Sequence, residues 1–166
     1  KGWETHLAPS WILKTTFFWS QTVPPGQILN VEHRYIPAVG GSVDTIVGLS
    51  SPDNPEFQAS INAERKKYCV DQSFLAALNR SKSKQEGSMS GYTEKRIAYV
   101  LKTGGNWAGP IGDFRLVVDK GAADNLVSFC ATGVKKIAPT RFEVVKKNYT
   151  PTSDLDILIL EPLRAE

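Results

Sequence analysis

Histidine, cysteine and methionine are all scarce in this 166-residue chain, with two, two and one copies respectively. The two histidines, His6 and His33, and the two cysteines, Cys69 and Cys130, fall in no local zinc spacing, and there is no CxxC pair. No metal site is therefore expected, and no cofactor. No apolar run approaches the ~20 residues that span a bilayer; the longest, residues 155–160, is interrupted by Asp156. A transmembrane segment is excluded on that ground. Charge of one sign is also missing, with 20 Lys+Arg against 17 Asp+Glu and a net charge of +3. The basic residues come in separate pairs, Lys66-Lys67, Lys135-Lys136 and Lys146-Lys147, which fits a solvated face and argues against nucleic acid. There is no internal repeat and no signal peptide, although the chain opens on Lys1 and not on Met, which marks a processing boundary in this reading.

What is present is a globular composition. A hydrophobic fraction of 41% and a charged fraction of 22% exclude disorder as the default, and the length suits a single domain over residues 1–166. Residues 11–23, WILKTTFFWSQTV, are dense in β-branched and aromatic side chains, with Phe17 and Trp19 on one parity and Phe18 on the other. Pro24-Pro25-Gly26 marks a turn. Residues 27–37 then alternate, with Leu29, Val31, His33 and Tyr35 in phase, so the two segments are expected to pair as a hairpin. Further strands are expected at residues 92–103, 114–119, 126–130, 141–147 and 155–160. One short helix is expected after Asp71, a credible N-cap, because Phe74, Leu75 and Leu78 have helical spacing. A mobile polar loop is expected over residues 81–91. Short strands separated by Gly, Pro and Asn, without recurring crossover helices, predict an all-β fold. The form expected is mainly an antiparallel β-sandwich with one short helical insertion.

Two cysteines permit one disulfide, Cys69–Cys130. Two buried free thiols are the alternative. The bond is preferred because each cysteine adjoins an expected ordered element.

Several segments together carry a resemblance to a known family. They are Trp19-Ser-Gln-Thr-Val-Pro-Pro-Gly, Val31-Glu-His-Arg-Tyr-Ile-Pro, Tyr68-Cys69, the run Thr103-Gly-Gly-Asn-Trp-Ala-Gly-Pro-Ile-Gly-Asp-Phe, and Val127-Ser-Phe-Cys130. The combination resembles a bacterial family catalogued as a domain of unknown function, number 4424. The resemblance implies an exported protein of which this chain is a C-terminal portion, held in an oxidising compartment where a disulfide persists. It implies no catalytic residues.

Candidate sites divide between functional and structural readings. The glycine-rich segment around Trp107 would serve as a ligand platform, with Trp107 and Asn106 as binding residues, or as a connection with Trp107 folded back as a plug on the core edge. The abundance of buried aromatics in cores favours the plug. Its glycines lack the Lys-Ser/Thr of a phosphate loop. His33 lacks a nucleophile and a serine elbow, and is expected to be structural. Asp154 and Asp156 share a strand face and would suit calcium or a glycosidase pair, or else lie on the solvent face of an amphipathic strand. No catalytic residues are assigned. The expected role is a non-enzymatic binding or structural module, periplasmic or secreted, facing an envelope protein, a glycan or an N-terminal region of the same protein. The alternatives are an envelope hydrolase or a carbohydrate-binding module using Trp107.

Overall fold

The computed structural model describes residue 18 and residues 20–37, 39–82 and 91–163. The chain divides into two units, Lys1–Tyr35 and Ile36–Glu166.

In the first unit the expected turn is present: the Gln27 N–H donates to the Pro24 carbonyl at 3.3 Å. Gly26 takes φ +73°, which the turn requires and which glycine adopts at no steric cost. The strand expected after it is not there. Residues 27–37 form no ladder, and Ile28, Val31, Tyr35 and Ile36 are exposed. Alternation encodes an extended chain, but a strand also needs a partner to satisfy its backbone groups, and none is provided among the described residues. The first half of the expected hairpin, including Phe17 and Trp19, lies outside the described residues except for residues 18 and 20–23. Those residues are irregular, and Phe18 is exposed.

In chain order the second unit comprises β1 (Gly40–Ser42), α1 (Pro55–Lys67), α2 (Gln72–Lys82), β2 (Tyr92–Tyr99), a 3-10 turn (Lys102–Asn106), β3 (Ile111–Asp119), β4 (Leu126–Phe129), β5 (Lys135–Lys136), β6 (Arg141–Tyr149) and β7 (Leu155–Pro162). The strands form two antiparallel sheets, β1-β2-β7-β4 and β3-β6-β5. The fold is all-β, mostly strands with two short helices among the described residues.

Strand β7 explains how the layers assemble. Leu155, Ile157 and Ile159 pack with Val118, Phe129 and Val144, between the two sheets. Leu158 and Leu160 point the other way and pack with Tyr68, Phe74 and Leu78 of the helical segment, together with Val47 and Tyr92. The first sheet is therefore covered on both faces, by helices on one and by the second sheet on the other. This is why the run LDILIL reads as almost continuously apolar.

The helical insertion holds two helices where one was expected. Helix α1 starts at Asn54, whose Oδ1 accepts from the Phe57 N–H at 3.0 Å, and Pro55 occupies the first turn. Glu56 near its start and Arg65, Lys66 and Lys67 near its end complement the helix dipole. Arg65 ties it to the preceding segment by donating to the carbonyls of Val47 and Leu49 at 2.7 and 2.8 Å. Asp71 caps α2 as the sequence predicts, accepting from the Phe74 N–H at 2.8 Å and the Ser73 hydroxyl at 2.7 Å. Helix α2 runs to Lys82, two residues into the segment expected as a mobile loop; residues 83–90 lie outside the described residues.

The end of α1 is a Schellman motif. Val70 N–H donates to Arg65 O at 2.8 Å and Cys69 N–H donates to Lys66 O at 3.2 Å. Its left-handed position, usually glycine, is Cys69 at φ +52°. Cys69 and Cys130 are joined by a disulfide, with Cα atoms 5.0 Å apart. The bond ties the junction of the two helices to the end of β4. Nearby, the Ser128 hydroxyl donates to the Tyr68 carbonyl at 2.9 Å, a second tie between the same elements.

Candidate functional site

The chain passes from the first sheet to the second through the connection between β2 and β3, and Trp107 sits on that connection. Three contacts fix its course. The Asp154 Oδ1 accepts from the backbone N–H groups of Leu101 and Lys102, both at 2.9 Å. Gly104 is buried against Pro151, where a Cβ would come within 3.3 Å of the proline Cγ. At Gly105 a Cβ would lie 2.9 Å from the Pro151 carbonyl oxygen, closer than side chains pack, so this position requires glycine. Beyond the pinned turn, Asn106 is exposed and Trp107 is 66% exposed. Trp107 therefore does not plug the core edge. The turn closes its own base with glycine backbone and Pro151, which leaves no space beneath it for an indole.

Asp154 has a structural task in this connection. The Lys102 and Leu101 amides hold its carboxyl below the usual carboxylate range. A depressed pKa means the stabilising contact is complete above that range and is lost as pH falls through the lowered value. We expect Asp154→Ala, or acidification of the wild type, to speed hydrogen exchange at the Leu101 and Lys102 amides while the β2 amides stay protected. Exchange measured by NMR across the acid range checks this.

The paired-carboxylate reading of Asp154 and Asp156 separates on inspection. Asp154 precedes β7 and caps the β2–β3 connection. Asp156 shares the helix-facing side of β7 with Leu158 and lies 3.8 Å from Lys67 Nζ at the end of α1. The strand is central, and neither of its faces is the solvent face that the sequence reading offered as the alternative. Among the described residues no group of three or more His, Cys, Asp or Glu side chains could hold a metal ion. His33 lies in the irregular part of the first unit, not in a strand.

One polar cluster escaped the sequence reading. Glu94, 3% exposed, lies on the helix-facing side of β2, opposite Leu160. Arg96 Nε donates to its Oε2 at 2.7 Å, and Arg96 Nη2 pairs with the same oxygen. The Oε2 of Glu64 on α1 is also buried and has no hydrogen-bond partner among the described residues. Glu94 and Arg96 alternate on one face of β2, and the helical layer covers that face. Charges on the outer face of the second sheet remain solvated and pair across strands: Asp113 with Lys147, Arg115 with Glu143 at 2.7 Å, and Asp119 with Arg141 at 2.9 Å. The hydrogen bond from Arg141, then that from the Gly121 N–H, lowers the Asp119 carboxyl to about 2.

The chain belongs to the DUF4424 family: the family model, described as a domain of unknown function, matches residues 1–158. That match does not bear out the expectation that the chain is a C-terminal portion. No curated protein and no solved structure matches it.

Proposed function

We propose that this protein is a non-enzymatic binding module of the bacterial periplasm or cell envelope, with Trp107 as its principal contact and Asn106 beside it as a polar one. The observation that carries the reading is an indole 66% exposed on a backbone turn that is pinned at Leu101, Lys102, Gly104 and Gly105. A large aromatic on a pre-organised turn binds with little further loss of conformational freedom, and its face suits stacking on a sugar ring or a peptide side chain. The exposed Cys69–Cys130 bond supports an oxidising compartment. The rival hydrolase reading would use scattered carboxylates; of these, Asp154 holds the β2–β3 connection and Asp156 lies beside Lys67.

The test is binding of envelope glycans and peptidoglycan fragments on an array, followed by calorimetry on the hits. Trp107→Ala is expected to weaken binding by about 30-fold, the scale of an aromatic hot spot. Affinity that survives Trp107→Ala would falsify the assignment.

A further inference from the structure

Strand β4 closes one side of the first sheet. It pairs with β7 alone among the described residues, so alternate residues direct their N–H and C=O groups outward. That edge is recessed. Two adjoining hollows of about 240 and 340 Å³ run along it, sharing Asp71, Val127, Ser128 and Phe142 as lining. Ser73 and Ala77 of α2 form one wall, and Phe142 of the second sheet forms the other. At the head of the groove lies Lys120, only 8% exposed. Its ammonium donates to the carbonyls of Ala123 and Asn125. Two neutral oxygens thus hold a buried cation that has three protons to donate. Lys136 and Asp124 act on it electrostatically with opposite effect.

We propose that this groove accepts an extended segment of a partner protein as an added strand beside β4, with an acidic side chain of that segment meeting Lys120. The recess selects the occupant. A single strand fits between a helix layer and a sheet layer, whereas the edge of a second copy would bring its own two layers and collide with both walls. Four residues of β4 offer about 13 Å of ladder at ~3.3 Å per residue, enough for one short strand. Apolar side chains of the segment would face Val127 and Phe142, and the carboxylate would accept from the ammonium proton of Lys120 that its two carbonyl partners leave over. This is strand addition, in which backbone pairing provides affinity and side-chain pockets provide selectivity.

The experiment uses the full chain and a library of octapeptides blocked at both ends, with Val, Ile or Thr at alternate positions and Glu, Gln or Ser between, read by fluorescence anisotropy. Glu-containing members are expected to bind, with about tenfold loss when the critical Glu becomes Gln. N-methylation of alternate peptide amides is expected to abolish binding, and the β4 amides should gain exchange protection in the complex. Lys120→Gln should reproduce the Glu→Gln loss; because Lys120 also braces its own turn, the peptide-side change reads the same contact if that variant fails to fold. The proposal is overturned if no member saturates below about 1 mM, if N-methylation or Glu→Gln leaves affinity unchanged, or if intermolecular NOEs map away from β4.

Discussion

Breaking the Cys69–Cys130 bond is expected to lower the free energy of unfolding by about 4 kcal/mol, the loop-closure entropy returned to the unfolded chain for a sequence separation of 61. For a domain of this size that corresponds to a fall in Tm of about 8–16 °C. Both cysteines are exposed, so removing either sulfur opens no core cavity, and the cross-link itself accounts for the loss. The backbone makes the two halves of the bond unequal. Cys69 occupies the left-handed position of the Schellman motif at φ +52°, where a non-glycine residue costs roughly 1 kcal/mol. Cys130→Ala should therefore show the full loss, and Cys69→Gly about 1 kcal/mol less, because glycine relieves the left-handed residue while the cross-link is gone in both. Urea denaturation of the two variants, each beside the reduced wild type, measures the difference. Equal losses would show that the α1 terminus is not strained at Cys69.

That position illustrates what could and could not be read from the residues. The cysteine pair, the Asp71 cap, the Pro24-Pro25-Gly26 turn and five of the strands were legible because each depends on local chemistry: a sulfur count, a capping carboxylate, a glycine at positive φ, a short β-branched run. Three features were hidden because they depend on what packs on top. Helix α1 buries only Ile61 completely, so its apolar periodicity is faint; its signal lies in its ends, Asn54-Pro55-Glu56 and Arg65-Lys66-Lys67. The LDILIL run identifies a strand but not that both its faces are covered, and that coverage changes Asp156 from a solvent-face acid into a partner of Lys67. Residues 27–37 have strand alternation without a strand, since periodicity describes a chain and pairing requires a neighbour. The candidate site was half legible. The glycines around Trp107 marked an unusual backbone, but their close approach to Pro151, which turns the indole outward, joins residues some forty-five positions apart and leaves no local trace.

The buried Glu94–Arg96 pair on the helix-facing side of the first sheet supplies the second large effect, and it is asymmetric. Arg96→Leu leaves the Glu94 carboxylate, 3% exposed, without the cation it pairs with, and among the described residues Glu64 Oε2 still has no hydrogen-bond donor. An uncompensated buried charge of this kind costs about 3 kcal/mol. The converse variant, Glu94→Leu, is expected to cost only about 1 kcal/mol. The Arg96 side chain retains 37% exposure, so its guanidinium keeps access to water, and Glu64 acts on it as a second anion. The double variant, Glu94→Leu with Arg96→Leu, removes both charges and presents two apolar side chains to a layer already built from Tyr68, Leu158 and Leu160. Replacing a buried pair by apolar groups is near neutral in other folds, so the double variant should be more stable than Arg96→Leu alone, which is a favourable coupling in the double-mutant cycle. Denaturant unfolding of the four proteins at neutral pH decides it. Losses that simply add, or an Arg96→Leu cost no greater than that of Glu94→Leu, would mean that the helical layer admits enough water to Glu94 to solvate it without Arg96. The covering of that face by the helical layer would then fail with it.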